Sequence, residues 1–116
     1  MTEYIVLLPG NETEWAKADE AERARVYGKH QEFAAALAER GHKVTGGAEL
    51  AQSTEARTVR RTGDSVAITD GPYAETVEQL TGYYTVQSDN LDDLLQCVGI
   101  LAEGEGSIEV RRCLEM

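Results

Sequence analysis

The sequence is poor in cysteine, and it lacks long apolar runs. Its 116 residues include two cysteines, and no apolar stretch approaches the roughly 18 to 20 residues of a membrane span. Cys97 and Cys113 lie far apart and without a Cys-x-x-Cys spacing, so neither a zinc site nor a disulfide framework is indicated. We expect two reduced, partly buried thiols. The apolar stretch 4–8 is short and has no basic leader, which favours a buried strand over a signal peptide and predicts a cytoplasmic location.

Basic residues are also scarce. Eleven Lys and Arg stand against 21 Asp and Glu, which gives a formal net charge of −10. A surface this acidic repels phosphate backbones and anionic lipids, so neither a nucleic acid nor a membrane is expected as a partner. The scattered glycines form no phosphate-binding loop, and we find no nucleophile elbow, no HExxH and no metal-ligand spacing. The sequence therefore predicts no cofactor and no metal.

The composition that remains is that of one soluble globular domain over residues 1–116. Hydrophobic residues make up 41% of the chain and charged residues 28%. Asp19 and Gly41 are typical of the start and end of a long helix, and Gly63-Asp64 is typical of a two-residue hairpin turn. The predicted order is strand 4–8, helix 20–40, strand 43–50 with a glycine interruption, hairpin arms 57–62 and 65–70, a short helical turn at 74–79, strand 80–87, helix 91–103 and strand 107–114. The glycines at 46 and 47 predict a bulge or a close backbone approach. The apolar stripe of helix 91–103 is expected to consist of Leu91, Leu94, Leu95, Val98 and Leu101.

This order predicts an α+β fold of the ferredoxin-like sandwich type, with two helices on one face of an antiparallel sheet. Strand 4–8 nevertheless offers apolar side chains to both faces of the sheet. Two helices can cover only one face, so the other requires a cover. We expect a homodimer whose sheets pack face to face or close into a dimeric α+β barrel.

His30 is the first candidate for chemistry. It shares a helix face with Val26, Phe33 and Leu37 at spacings i, i+4, i+7 and i+11, so it should point towards the sheet. One interpretation is a core histidine that is hydrogen-bonded to a backbone carbonyl or to a tyrosine. The other is a group that takes or gives a proton near neutral pH.

Asp70 is the second candidate. Strand alternation places it on the side of Val66 and Ile68, just before the stiff corner Gly71-Pro72. Its carboxylate could simply accept hydrogen bonds within the turn. Alternatively, it could orient His30, and the two would then form a catalytic pair.

Four further residues are candidates for substrate binding. Tyr73 and Tyr84 could each pack or line a cavity. Arg23 and Arg112 lie near inward faces and could supply a cation to an anionic ligand, or they could form ordinary ion pairs. His42 follows the end of the long helix and is expected to be solvated.

The segment Asp70 to Tyr84, DGPYAETVEQLTGYY, resembles the signature of the DGPF proteins, a branch of the YCII-related family, with Tyr73 at the usual Phe. The opening strand, His30-x-x-Phe33, the segment 46–50 and the closing segment 106–111 are also similar. The resemblance implies a dimeric ferredoxin-like α+β barrel. It also implies that a His and an Asp, here His30 and Asp70, act in a cleft associated with the dimer.

These features together favour a cofactor-independent enzyme that uses His30 and Asp70 for proton transfer. The expected reaction is an elimination or isomerisation on a small carbonyl-bearing molecule. The alternative is a dimeric small-molecule-binding or accessory module, in which the same cleft holds a ligand without turnover.

Overall fold

The computed structural model describes residues 1–115, apart from the side chain of Glu105. Six strands and three α-helices follow one another, with a 3-10 turn at Ser53–Glu55. The elements are β1 (Thr2–Asn11), α1 (Glu12–Lys17), α2 (Glu20–Glu39), β2 (Lys43–Glu49), β3 (Arg57–Thr62), β4 (Ser65–Asp70), β5 (Glu78–Ser88), α3 (Leu91–Glu105) and β6 (Glu109–Arg112).

Four strands form one antiparallel sheet in the order β2-β5-β1-β6. The two central strands are the longest, and Val6 of β1 lies opposite Tyr84 of β5 and Val110 of β6. Strand order and helix placement agree with the predicted ferredoxin-like α+β class. The dimeric barrel stays a prediction.

The core lies between this sheet and the two long helices. Its buried residues come from α2, α3 and the central strands, namely Val6, Leu8, Phe33, Leu37, Val86, Leu94, Cys97, Val98 and Leu101. The prediction that Leu91 and Leu95 belong to the buried stripe of α3 is wrong, because both are about two-fifths exposed. The helix turns Cys97 inward instead, one helical turn from Leu94 and Leu101.

The ends of α2 follow the predicted chemistry. The Asp19 carboxylate accepts a hydrogen bond from the Glu22 amide at 2.8 Å, which caps the first turn. At the other end, the Gly41 amide donates to the Ala38 carbonyl and the His42 amide donates to the Leu37 carbonyl. These two bonds form a Schellman motif, which turns the chain back towards the core after Gly41.

Strand β2 contains the predicted irregularity at its glycines. The register with β5 shifts between Val44 and Gly46, as in a β-bulge. A Cβ atom at Gly47 would lie 2.7 Å from the Tyr83 carbonyl oxygen and 3.0 Å from Cδ1 of Tyr84. The close backbone approach predicted for this segment is therefore present, and it leaves room for the Tyr84 ring.

The hairpin β3–β4 forms a two-stranded sheet of its own. A type II′ turn requires a positive φ at its first central residue, and Gly63 has φ +61°. The second central residue, Asp64, does not have a positive φ, which agrees with this turn type. Every residue of β4 is exposed, including Val66, Ile68 and Asp70. The expectation that these three side chains face inward is wrong within the single chain, since no residue of β4 is buried.

The segment before β5 and the apolar character of the helices bear on two further predictions. The short helical turn predicted for residues 74–79 does not form, because 74–77 are irregular and β5 begins at Glu78. Among residues 1–115, no helix combines the length and the apolar character needed to cross a bilayer.

Candidate functional site

A cavity of about 770 Å³ opens beneath α1 and α2, against the strands β1, β2 and β5. Its size suits a small organic ligand. The wall mixes aromatic rings, glycines and carboxylates. Its principal members are Trp15, Glu22, Val26, Tyr27, His30, Gly47, Glu49 and Tyr84.

The imidazole of His30 and the phenol of Tyr84 meet in this wall. Nδ1 of His30 lies 2.7 Å from the Tyr84 hydroxyl oxygen, and both side chains are half-buried. Phe33, one turn further along α2, packs against the Tyr84 ring at 5.3 Å between centroids. Helix α2 thus supplies both the polar and the apolar contact that position this ring.

The hydrogen bond between His30 and Tyr84 can form with either side chain as the donor. When the phenol donates to Nδ1, the imidazole is neutral; when Nδ1 carries the proton, it donates to the phenol oxygen. The sequence interpretation of His30 as a histidine bonded to a tyrosine is confirmed. The same bond orients the ring beside the cavity, as an acid-base residue requires.

The remaining polar wall of the cavity is acidic. Among the lining residues that the structure describes, five are glutamates and none is Lys or Arg; the glutamates are Glu12, Glu14, Glu22, Glu49 and Glu78. Glu12 is hydrogen-bonded to the amide and hydroxyl of Ser53. Glu22 pairs with Arg25 at 2.6 Å, and this hydrogen bond lowers the pKa of the Glu22 carboxyl. The wall therefore carries negative charge at neutral pH.

Tyr27 closes one side of the cavity. Its ring meets Trp15 edge to face at 5.6 Å, and its hydroxyl donates to the Glu49 carboxylate at 3.2 Å. Desolvation raises the pKa of the Tyr27 phenol, and the negative charge of Glu49 raises it further. Tyr27 is consequently a neutral hydrogen-bond donor that holds Glu49 in place.

Asp70 does not share this cavity with His30. Its side chain is 87% exposed at the end of the hairpin, and its carboxylate lies 3.1 Å from Nε of Arg57. The two residues are directly opposite each other in the β3–β4 ladder, which explains the pairing. The prediction that Asp70 faces inward to meet His30 is wrong within one protomer.

Three of the four predicted binding residues also lie elsewhere. Tyr73 is 89% exposed. Arg23 donates to the Trp15 and Ala18 carbonyls and lies over the Trp15 ring. Its guanidinium therefore stabilises the turn that connects α1 to α2. Arg112 is exposed on the edge strand β6. Tyr84 is the predicted residue that does line the cavity.

His42 is the clearest correction. It is 7% exposed rather than solvated, and it lies between Ser88 Oγ at 2.8 Å and Asp93 Oδ2 at 2.7 Å. The Schellman motif explains this placement, because the second residue beyond such a helix end commonly turns back to the core. The motif was readable from Gly41, but the partners of His42 lie about 50 residues away in the chain.

The fold and its cavity define a small ferredoxin-like α+β domain with a titratable residue in a ligand-sized space. The family model of the YCII-related domain matches residues 3–116, and the chain belongs to the YCII-related family. An uncharacterized protein of Rhizobium meliloti (strain 1021) is 39% identical over 67 residues, or 55% of this chain and 54% of that protein. The chain thus spans about half the length of the curated relative that it matches. The resemblance is confirmed for the family, and the DGPF branch stays a prediction.

Proposed function

We propose that this YCII-related protein is a cofactor-independent enzyme that moves a proton on a small carbonyl-bearing molecule, with His30 as the acid-base residue. The observation that carries the proposal is the 2.7 Å contact of His30 Nδ1 with the Tyr84 hydroxyl in the wall of a 770 Å³ cavity. An oriented imidazole beside a ligand-sized space suits removal of a proton next to a carbonyl. Elimination or isomerisation would follow from that step.

The charge of the cavity favours a neutral or cationic substrate. The described part of the wall contains glutamates and no Lys or Arg, and Arg23 is already bonded to backbone carbonyls. A carboxylate in this space would face several negative charges at short range. We therefore propose a neutral or amine-bearing ligand instead of the anionic ligand that Arg23 and Arg112 suggested.

We propose that the protein works as a homodimer. The sheet face opposite the helices carries the half-buried side chains of Ile5, Leu7 and Tyr83, and the hairpin exposes Val59 and Ile68 by more than three-fifths. Exposed apolar surface of this kind is typical of an interface, and a second copy is the simplest cover. A role for Asp70 in catalysis requires such a partner, because in its own protomer the carboxylate pairs with Arg57 in solvent.

Sedimentation equilibrium at micromolar concentration tests the dimer. We expect twice the chain mass of 12.7 kDa. Leu7→Arg, on the face opposite the helices, should shift the protein towards monomer with its circular dichroism unchanged. A wild-type protein that sediments as a monomer throughout would contradict the dimer, and Asp70 would then have no route to His30.

The second candidate function is a binding module without turnover. The location of Asp70 favours it, since this residue is not among the described residues that line the cavity. The hydrogen bonds of Tyr27 to Glu49 and of Ser53 to Glu12 would serve a rigid binding pocket equally well.

Deuterium exchange separates the two functions. Small ketones and lactones in matched neutral, amine-bearing and carboxylate-bearing forms are incubated with the protein in D2O, and proton NMR follows loss of the hydrogen next to the carbonyl. Catalysis predicts exchange in the neutral or amine-bearing compounds. A compound that raises the melting temperature without exchanging would indicate the binding module, and exchange confined to the carboxylates would overturn the proposed substrate class.

A further inference from the structure

A second polar cluster lies away from the His30 cavity, where the end of α2, the end of β5 and the start of α3 meet. His42, Asp93 and Cys97 form its centre, and the ligating atoms of the three side chains all lie within 4.8 Å of one another. Arg40 and Ser88 flank them. None of these five residues is among those that line the His30 cavity.

We propose that the cluster His42–Asp93–Cys97 is a binding site for a divalent cation of the zinc class. Imidazole nitrogen, carboxylate oxygen and thiolate sulfur together form a donor set that suits zinc rather than magnesium or calcium. Zinc bonds of about 2.0 to 2.3 Å place tetrahedral ligands roughly 3 to 4 Å apart. Side-chain movements of about 1 Å would therefore bring the three donors to a common ion.

The backbone presents these donors from two directions. Asp93 and Cys97 are four residues apart on α3, so their side chains lie on one face of the helix. His42 reaches them because the Schellman motif after Gly41 returns the chain to the core. The sequence has no metal-ligand spacing here, since the third ligand comes from another element.

Ser88 supplies the outer contact that a metal-binding histidine normally has. Its hydroxyl oxygen lies 2.8 Å from Nδ1 of His42 and accepts a hydrogen bond from the Asn90 amide at 3.0 Å. Ser88 is 1% exposed, so its hydroxyl is fixed in place. It contacts the imidazole at Nδ1, and Nε2 faces Asp93. Such contacts fix the ring orientation of a ligating histidine.

Arg40 occupies the cation position of the cluster. Its guanidinium lies 3.0 Å from Asp93 Oδ1 and 3.7 Å from the sulfur of Cys97. Its side chain is 49% exposed, so it can move into solvent without breaking the core. We infer that the guanidinium and the metal compete for Asp93 and Cys97. On binding, the hydrated cation gives up water ligands, the Cys97 thiol releases its proton to the buffer, and Arg40 leaves.

Cobalt provides the direct test. The untagged, reduced and metal-depleted chain is titrated with Co²⁺, and the thiolate-to-cobalt charge-transfer absorption in the near ultraviolet is recorded. We expect one Co²⁺ per chain, with the band lost on addition of Zn²⁺. Absence of the band in both the wild type and Arg40→Gln would overturn the proposal.

Matched variants assign the ligands. Cys97→Ser should abolish the band, and Cys113→Ser should leave it unchanged, because Cys113 lies outside the cluster. Asp93 is half-buried, so this position tolerates substitution better than Cys97. Loss of an outer contact already weakens metal binding by about 10-fold or more, so loss of the proposed direct ligand in Asp93→Asn should weaken cobalt binding at least as much. Arg40→Gln should tighten binding severalfold.

Each comparison can contradict the site on its own. A band that persists in Cys97→Ser, or that disappears in Cys113→Ser, would move the thiolate to the other cysteine. Weaker cobalt binding in Arg40→Gln would show that the guanidinium supports the ion rather than competing with it. Should Cys97→Ser fail to fold by circular dichroism, Asp93→Asn and Arg40→Gln decide the question.

Discussion

Nδ1 of His30 and the hydroxyl oxygen of Tyr84 are 2.7 Å apart, although the two residues are 54 positions apart in the chain. Helix α2 brings the imidazole to the sheet, and the absence of a side chain at Gly47 leaves space for the phenol ring in β5. The pair forms part of an acidic cavity wall that also contains Tyr27 and Glu49.

Tyr84→Phe should remove the phenol contact and leave the fold intact. A lost hydrogen bond of this kind costs about 0.5 to 1.5 kcal/mol in the free energy of unfolding. Long-range proton–nitrogen NMR of the His30 ring should show a shifted Nδ1 resonance. An unchanged resonance would mean that the two groups are not bonded in solution, and Tyr83→Phe is the matched control from the neighbouring position.

Gly47→Ala should destabilise the pairing of β2 with β5. The added Cβ would lie 2.7 Å from the Tyr83 carbonyl, and overpacking of this kind typically costs about 1 to 3 kcal/mol. Urea denaturation measures the difference.

The control for that variant is Gly28→Ala in α2, where nothing lies within 4 Å of the added atom. Helix propensity favours this change by about 0.5 to 1 kcal/mol. Two variants of equal stability would contradict the close approach of the backbone at Gly47.

Tyr27 should ionise above the ordinary tyrosine pKa of 10.0, and Glu49→Gln should lower that pKa. Because folding favours the protonated phenol, this group contributes stability below pH 10, and the contribution is lost as the pH rises through the folded-state pKa. Difference titration of wild type and Tyr27→Phe by tyrosinate absorbance isolates the group. A Tyr27 that ionises below 10 would refute its bond to Glu49.

Leu94→Ala and Leu95→Ala should differ although the two residues are adjacent. Leu94 is fully buried in the core, so its truncation should cost about 2 to 5 kcal/mol. Leu95 is 42% exposed, and its truncation should cost about 0.5 kcal/mol. Thermal unfolding of both variants measures the difference in stability. Similar losses would contradict the orientation of α3, in which Leu94 and not Leu95 faces the core.

Local signals in the sequence predicted most of the fold. Asp19 predicted the start of α2, Gly63 predicted the hairpin turn, and the glycines of β2 predicted a bulge, because each of these depends on a few neighbouring residues. Apolar periodicity was less reliable for Leu95. The spacing of apolar residues identifies one side of a helix but does not determine which residues at the edge of that side contact the sheet. The resemblance to the YCII-related family extended the prediction to the level of the family.

The site was only partly predictable, because contacts between distant residues decide it. His30 was found from its position among Val26, Phe33 and Leu37, whereas Tyr84 could not be assigned to it from either strand alternation or spacing. Asp70 was placed inward by alternation, yet a hairpin without a covering layer has no inward side. His42 was missed because its environment comes from Ser88 and Asp93, in elements that the sequence alone does not bring together.

The rate of hydrogen exchange next to a carbonyl, compared between wild type and His30→Gln, tests the proposed proton transfer most directly. General acid-base groups contribute roughly 10²- to 10⁴-fold, so His30→Gln should slow exchange of the best neutral or amine-bearing ketone by about 10²-fold or more. Tyr73→Phe, altered at an exposed residue outside the cavity, should exchange at the wild-type rate. Equal rates in wild type and a folded His30→Gln would contradict the account.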